Sequence, residues 1–314
     1  MNHRSSLVSS RAARAGLLLL MAAAFGLLAA PAQGQLLYVT NTGNGTVGEY
    51  NGSTGAAIAS SLVTGLGFTA AVAVSGGDLY VSNGSTGDIG VYDAVTGTAI
   101  NASLITGLGT PEGIKISGSD LYESDEGHNN VGQYNATTGA AINAPLVSLN
   151  YPTDLAVSGS NLYVVNQNSG TIAEYDANTG ATINATLVSG LDEPYGLALA
   201  GSVLYVTDQN NGGEIGAYDA TTGTAINATL VTGQGFIVGV AVLGSDVYVA
   251  NFGDGSIGEF DANTGATINA SLVTGLHGPW GLAAVSSVPE PAVASLLVGG
   301  AAAVVVVWRR QRKR

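Results

Sequence analysis

Two carboxylates, Glu112 and Asp154, occupy neighbouring positions of a repeating unit, in its third and fourth copies. Such a pair could begin a general acid–base site or a seat for a hard cation. Tyr195 and Trp280 stand at the same points in the units that follow, and small or apolar residues fill most of the others. Asp125, Asn166 and Asp208 are expected close by. Calcium wants about six to eight oxygen ligands, so backbone carbonyls and water would have to complete any site built on Glu112 and Asp154. Catalytic bases are scarce. His3 lies at the extreme N-terminus, and His128 and His277 fall in turns of different units with no repeated Ser–His–Asp spacing. His128 sits in the acidic loop Asp125-Glu126-Gly127-His128-Asn129-Asn130, which departs most from its sister loops. It is the best candidate for a binding loop, a solvated turn being the plainer reading. With no cysteine, thiolate chemistry and disulfides are excluded.

The elements that position these residues are announced by a motif recurring about every 42 residues: Leu37-Tyr38-Val39-Thr40-Asn41, then copies beginning at Leu79, Leu121, Leu162, Leu204 and Val247. In the third copy, Gly113–Gly118, Asp120–Ser124, Asn130–Tyr134 and Ala141–Val147 read as four short strands separated by turn residues. A unit of this kind predicts one blade of an all-β propeller with four antiparallel strands per blade, and six copies predict six blades. The turn between third and fourth strands repeats as Asp93-Ala-Val-Thr-Gly97 or a close variant, with Asp or Asn accepting backbone N–H bonds and Gly supplying a positive φ. Small residues such as Gly48, Gly132 and Gly216 precede an aromatic by two positions, which predicts room for a bulky group from the next blade. The first unit lacks a leading strand while Gly281–Val285 is surplus, so the C-terminal strand is expected to complete the first blade and close the ring.

The ends read differently. Arg4, Arg11 and Arg14 precede an apolar stretch from Gly16 to Ala30 and the small-residue site Ala30-Pro31-Ala32, the pattern of a secretory signal peptide spanning 1–32, with a retained anchor as the alternative. After the 35–287 propeller, Val288-Pro289-Glu290-Pro291 leads into an apolar run from Ala292 to Trp308 and then Arg309, Arg310, Arg312, Lys313 and Arg314. As a helix, Pro291–Trp308 would rise roughly 27 Å, enough for one transmembrane span with the cations on the cytoplasmic side. Of nine basic residues only Lys115 lies between these ends, against 21 of the 22 carboxylates, all but Glu290. A segment so acidic, with a net charge of about −20, excludes nucleic acid as a partner, whose phosphates need Lys and Arg.

The C-terminal arrangement of Pro-Glu-Pro, apolar helix and Arg-rich end resembles the PEP-CTERM sorting signal of Gram-negative bacteria. That resemblance implies recognition at the inner membrane by an exosortase-type processing enzyme, followed by delivery to the cell surface or extracellular matrix; an ordinary uncleaved anchor is the alternative. Tyr38-Val39-Thr40-Asn41 spells the signature of the YVTN propellers, and Pro194-Tyr195-Gly196-Leu197-Ala198 with Leu204-Tyr205-Val206-Thr207-Asp208 resembles the NHL pattern. Such propellers act as surface proteins and interaction modules, and related six-bladed branches are calcium-dependent lactonases or lyases. The expectation is therefore a non-enzymatic, cofactor-free binding or structural protein facing extracellular polysaccharide or surface proteins. The alternative is a calcium-dependent hydrolase using Glu112 and Asp154.

Overall fold

Alternating apolar residues and tight polar turns fold this chain into hairpins. The computed structural model describes residues 34–209 and 212–286. Every element described here lies within Gln35–Arg314. The signal peptide and sorting tail expected at 1–32 and 288–314 lie outside the described residues. No helix among those residues is long and apolar enough to cross a membrane.

The described residues form six antiparallel four-stranded sheets, one per repeat. In blade 3, for example, β8 (Pro111–Ser117), β9 (Asp120–Asp125), β10 (Asn130–Asn135) and β11 (Ala141–Ser148) run from the axis outward, within two residues of the sequence expectation. The innermost strands β8, β12 (Pro152–Ser158), β16 (Pro194–Ala200) and their counterparts surround a central axis. Blade 1 is completed by the C-terminus: β24 (Pro279–Val285) pairs with β1 (Leu36–Asn41), placing Leu282 opposite Val39 and Ala284 opposite Leu37. The expected closure is thus realised, and no inner edge of blade 1 is left unpaired.

Apolar cores lie between blades. Tyr38, Val63, Val81, Tyr92 and Ala94 pack blade 1 against blade 2, and Leu37, Val39 and Tyr50 meet Tyr248, Ile257 and Leu272 where blade 1 meets blade 6. Each four-residue turn is held as the sequence implies. Asp93 Oδ1 accepts the N–H groups of Val95 and Thr96, and the five sister turns repeat the pattern. One expectation is corrected. The space over Gly48, Gly132 and Gly216 is taken by the ring of the same strand's own tyrosine, Tyr50, Tyr134 or Tyr218, within 2.7 Å of where a Cβ would stand. Residues i and i+2 share a face, and the long ring leans back along its strand, so the neighbouring blade never enters that space.

Removal of Gly281–Ser286 is expected to lower the melting temperature by at least about 10 °C, because it exposes the β1 edge and strips the blade 1 core of Leu282. Thermal unfolding followed by circular dichroism checks this; an unchanged transition would contradict the pairing.

Candidate functional site

The inner strands approach one another so closely at their N-terminal ends that the axis is nearly filled there. A Cβ on Gly196, Gly239 or Gly281 would overlap the carbonyl oxygen of Val238, Trp280 or Ala70 respectively, each on the next blade, so glycine at these three points is a requirement of ring closure. Hydroxyls of the second strands stitch neighbours together. Thr207 Oγ1 accepts the Gly196 N–H and donates to the Val238 carbonyl, both at 2.7 Å, while Ser124 Oγ donates to the Thr153 carbonyl at 3.1 Å. At the end carrying Glu112 and Trp280 what remains is a cavity of about 30 Å³, room for no more than a few waters, while the far ends of the inner strands line a wider opening of about 220 Å³.

Four of the residues singled out in the sequence, Glu112, Asp154, Tyr195 and Trp280, line this cavity. Blades 4 and 6 carry Val165 and Ala250 where the other four have the stitching hydroxyl, and in blade 4 Thr153 and Asp154 take over. Thr153 Oγ1 donates to the Tyr195 carbonyl at 2.8 Å. Asp154 Oδ2 accepts the Leu197 N–H at 2.9 Å, and its Oδ1 accepts the Leu155 N–H at 2.8 Å and meets Lys115 Nζ at 3.3 Å. Asp154 is therefore an inter-blade clamp, neutralised by the one lysine nearby.

Glu112 is buried, and its Oε2 accepts the Trp280 indole N–H at 3.1 Å across the axis. Burial, then the nearby Glu126 carboxylate and, more weakly, Asp154 push its carboxyl up to about 8, against an opposing contribution from the Trp280 bond. Glu112 is accordingly a protonated acid at neutral pH. Trp280 is the hub of an aromatic cluster at the channel mouth. Phe68, Tyr195 and Phe252 each meet it edge-to-face at 5.2–5.5 Å between centroids, and Phe236 meets Phe252 at 5.4 Å. Burial, with Glu112 and Glu126, pushes the Tyr195 phenol up strongly, so its hydroxyl stays protonated.

Asp125 and His128 do not line this cavity. Asp125 is buried at the end of β9, where burial would raise its carboxyl but N–H bonds from Gly109, Thr110 and His128 more than offset that, and the His128 ring adds a contact at 2.7 Å. The His128 imidazole is half exposed, the other ring nitrogen facing away from Asp125. Asn166 and Asp208 are also absent from the cavity lining; the Asn166 Oδ1 is buried without a partner, and Asp208 accepts the Asp192 N–H at 3.0 Å. No group of three or more His, Asp or Glu among the described residues is placed to hold a metal ion.

Sequence reasoning missed two features. Glu123 stands where the sister copies have Val, on the core face of β9, and is completely buried with neither oxygen in hydrogen-bond geometry. Burial and the Asp125 charge hold its carboxyl well above the usual range, and the Tyr134 hydroxyl opposes this only weakly. The Val-to-Glu departure within the motif was the available signal. The second is conformational: Asn129, Tyr151 and Glu193 have φ of 57°, 63° and 59°, the left-handed region that costs a non-glycine residue about 1 kcal/mol or more. All three lie in loops of the face that carries the channel mouth.

With this geometry in place, similarity to known proteins bears on the fold. A family model, PQQ_2, described as outer membrane protein assembly factor BamB, matches residues 170–312. Among solved structures, a chain of a nidogen/laminin complex is 16% identical over 81% of this chain and 100% of that one, with a TM-score of 0.65. The computationally designed Ika8 protein is 14% identical over 73% of this chain and 69% of that one, with a TM-score of 0.49. No curated protein matches. The protein is a six-bladed β-propeller whose residues 170–312 are similar to the PQQ_2 family, consistent with the YVTN and NHL resemblances.

Two buried acids make stability pH-dependent. Glu112 binds its proton more tightly folded than unfolded, so its favourable contribution is complete below its ordinary value of 4.5 and is lost as pH rises through about 8. Urea unfolding at pH 5 and pH 8 should show Glu112→Gln gaining on the parent chain as pH rises. Glu123→Val, restoring the sister residue, should stabilise by about 1–3 kcal/mol at neutral pH by removing an unsatisfied carboxyl; a destabilised variant would contradict the assigned burial.

Proposed function

We propose that the protein is an exported, non-enzymatic binding propeller of the cell surface or extracellular matrix, and that its working face is the one bearing the aromatic channel mouth. The observation that carries this reading is the commitment of both candidate catalytic carboxylates. Asp154 uses its two oxygens on backbone N–H groups and Lys115, and Glu112 is a protonated acid bonded to Trp280, beside a cavity too small for a substrate. The mouth above, by contrast, presents half-exposed aromatic edges and loops whose sequences differ from blade to blade, as binding surfaces do. Fold likeness carries no activity with it.

The calcium-dependent hydrolase remains the second reading, supported by Glu112 and Asp154 lining one cavity. It requires calcium to displace the Glu112 proton and the Lys115 contact. Lactones and phosphate esters offered to the purified full chain with and without calcium should give no turnover above background. Turnover that disappears in Glu112→Ala would overturn the binding reading.

Export and processing complete the proposal. The 1–32 segment serves as signal peptide, and 288–314 as a PEP-CTERM signal that passes transiently through the inner membrane of a Gram-negative bacterium and is cut by an exosortase-type enzyme. Pro289 and Pro291 disfavour helix and keep the Glu290 segment extended for the processing cleft, while the apolar run and Arg309–Arg314 hold it at a fixed depth. Mass spectrometry of the surface-located protein should find a C-terminus near 288–291. Recovery of an intact 292–314 would make the tail a plain anchor.

A further inference from the structure

Beside the channel mouth, a groove of about 480 Å³ opens between the β13–β14 loop of blade 4 and the loop leading into β16 of blade 5, with β13 at Asn161–Asn166 and β14 at Thr171–Asp176. Its volume falls within the range of about 300–1,000 Å³ usual for small-molecule sites. Gln167 and Asn168 form one wall, Asp192 and Glu193 another, and Tyr195 and Phe236 supply aromatic surface, Phe236 being 43% exposed. The side chains of Gln167, Asp192 and Glu193 make no hydrogen bond among the described residues and are open to a ligand.

Glu193 holds a φ of 59° where blade 4 has Tyr151 at 63° and blade 1 has Gly278 at 66°, so the left-handed turn is common to these loops, and a glutamate there carries a backbone cost that glycine would not.

We propose that this groove binds a neutral polyhydroxylated ligand, a segment of uncharged oligosaccharide, with amide and carboxylate side chains bonding its hydroxyls against the Tyr195–Phe236 surface. The chemistry selects the class. Amides and carboxylates accept and donate to hydroxyls, and aromatic surface covers the apolar C–H face of a sugar ring. Among the described residues no cation lines the groove, and Lys115 is engaged with Asp154 inside the channel, so uronate, sulfate or phosphate groups would meet Asp192 and Glu193 unpaired. The proposal rests on the binding-propeller reading above and adds to it the site and the ligand class.

Calorimetric titration of the full chain with cellohexaose, maltohexaose and laminarihexaose tests it, with an oligoalginate and spermidine as charged controls. At least one neutral hexasaccharide should bind at millimolar concentration or below, and oligoalginate should not. Gln167→Ala and Phe236→Ala, both at accessible positions, should each weaken that binding about tenfold. Glu193→Gly should weaken it while raising the melting temperature, a combination that a purely structural role would not give. Failure of all three neutral sugars, or binding indifferent to Gln167→Ala and Phe236→Ala, would overturn the proposal. Binding of spermidine or oligoalginate alone would overturn the ligand class while leaving a binding propeller in place, and cleavage of a bound hexasaccharide would overturn the non-enzymatic reading instead.

Discussion

Everything in this molecule depends on how the four-residue turn of one blade seats against the blade before it. At each of the six turns the glycine has a φ of 68–71°, and a Cβ there would overlap the carbonyl oxygen of a leucine on the preceding blade's outer strand: Leu62 for Gly97, Leu104 for Gly139, and Leu272 for Gly55 across the closing seam. In three of the turns the alanine receives a tyrosine hydroxyl from the preceding blade, Tyr38 to Ala94, Tyr80 to Ala136 and Tyr205 to Ala262, at 3.0–3.2 Å. One short turn therefore satisfies its own Asp or Asn cap and fixes the spacing between neighbouring sheets. At the seam the Tyr248 hydroxyl instead donates to Gln35 Oε1 at 2.6 Å, so the residue just before β1 substitutes for a turn alanine.

That spacing sets what the axis can do. Six sheets seated this closely bring the N-terminal ends of the inner strands into near contact, which demands Gly196, Gly239 and Gly281 and leaves a cavity of a few waters beside Glu112 and Asp154. Polar groups on the axis are consequently consumed by the ring itself. Thr207, Ser124 and Asp154 satisfy backbone groups of adjacent blades, and Glu112 avoids the cost of a buried charge by keeping its proton. Chemistry directed at other molecules is left to the loops of the mouth, where backbone strain at Asn129, Tyr151 and Glu193 also concentrates.

The repeats made most of the fold legible. Their Leu-Tyr-Val cores, Asp-Ala-x-Thr-Gly turns and surplus C-terminal strand carry the strand order, the turn chemistry and the closure, because each depends on residues near in sequence or on a count of units. The site was legible only in its membership. Glu112, Asp154, Tyr195 and Trp280 do converge, but their partners follow from the width of the axis, which the repeat pattern does not encode. Glu112 meets Trp280 across 168 residues, and Asp154 acts on Leu197 of the next blade. The groove at Gln167 and Glu193 was invisible for the opposite reason: it is built from loops that do not repeat. The space over Gly48, Gly132 and Gly216 was expected to take a group from the next blade because period-two reasoning identifies the shared face but not the direction in which a long ring leans.

The central claim is that this protein works through the face of the channel mouth and not through its rim of outer strands, which carry an exposed isoleucine in each blade and no charged side chain. Hydrogen exchange of the full chain with and without the polysaccharide of its own culture distinguishes these most directly. The account predicts slowed exchange in the loops at 148–152, 166–170 and 190–194 with the outer strands unchanged. Protection along the outer strands at 99–105 and 225–231, with the mouth loops unaffected, would contradict it.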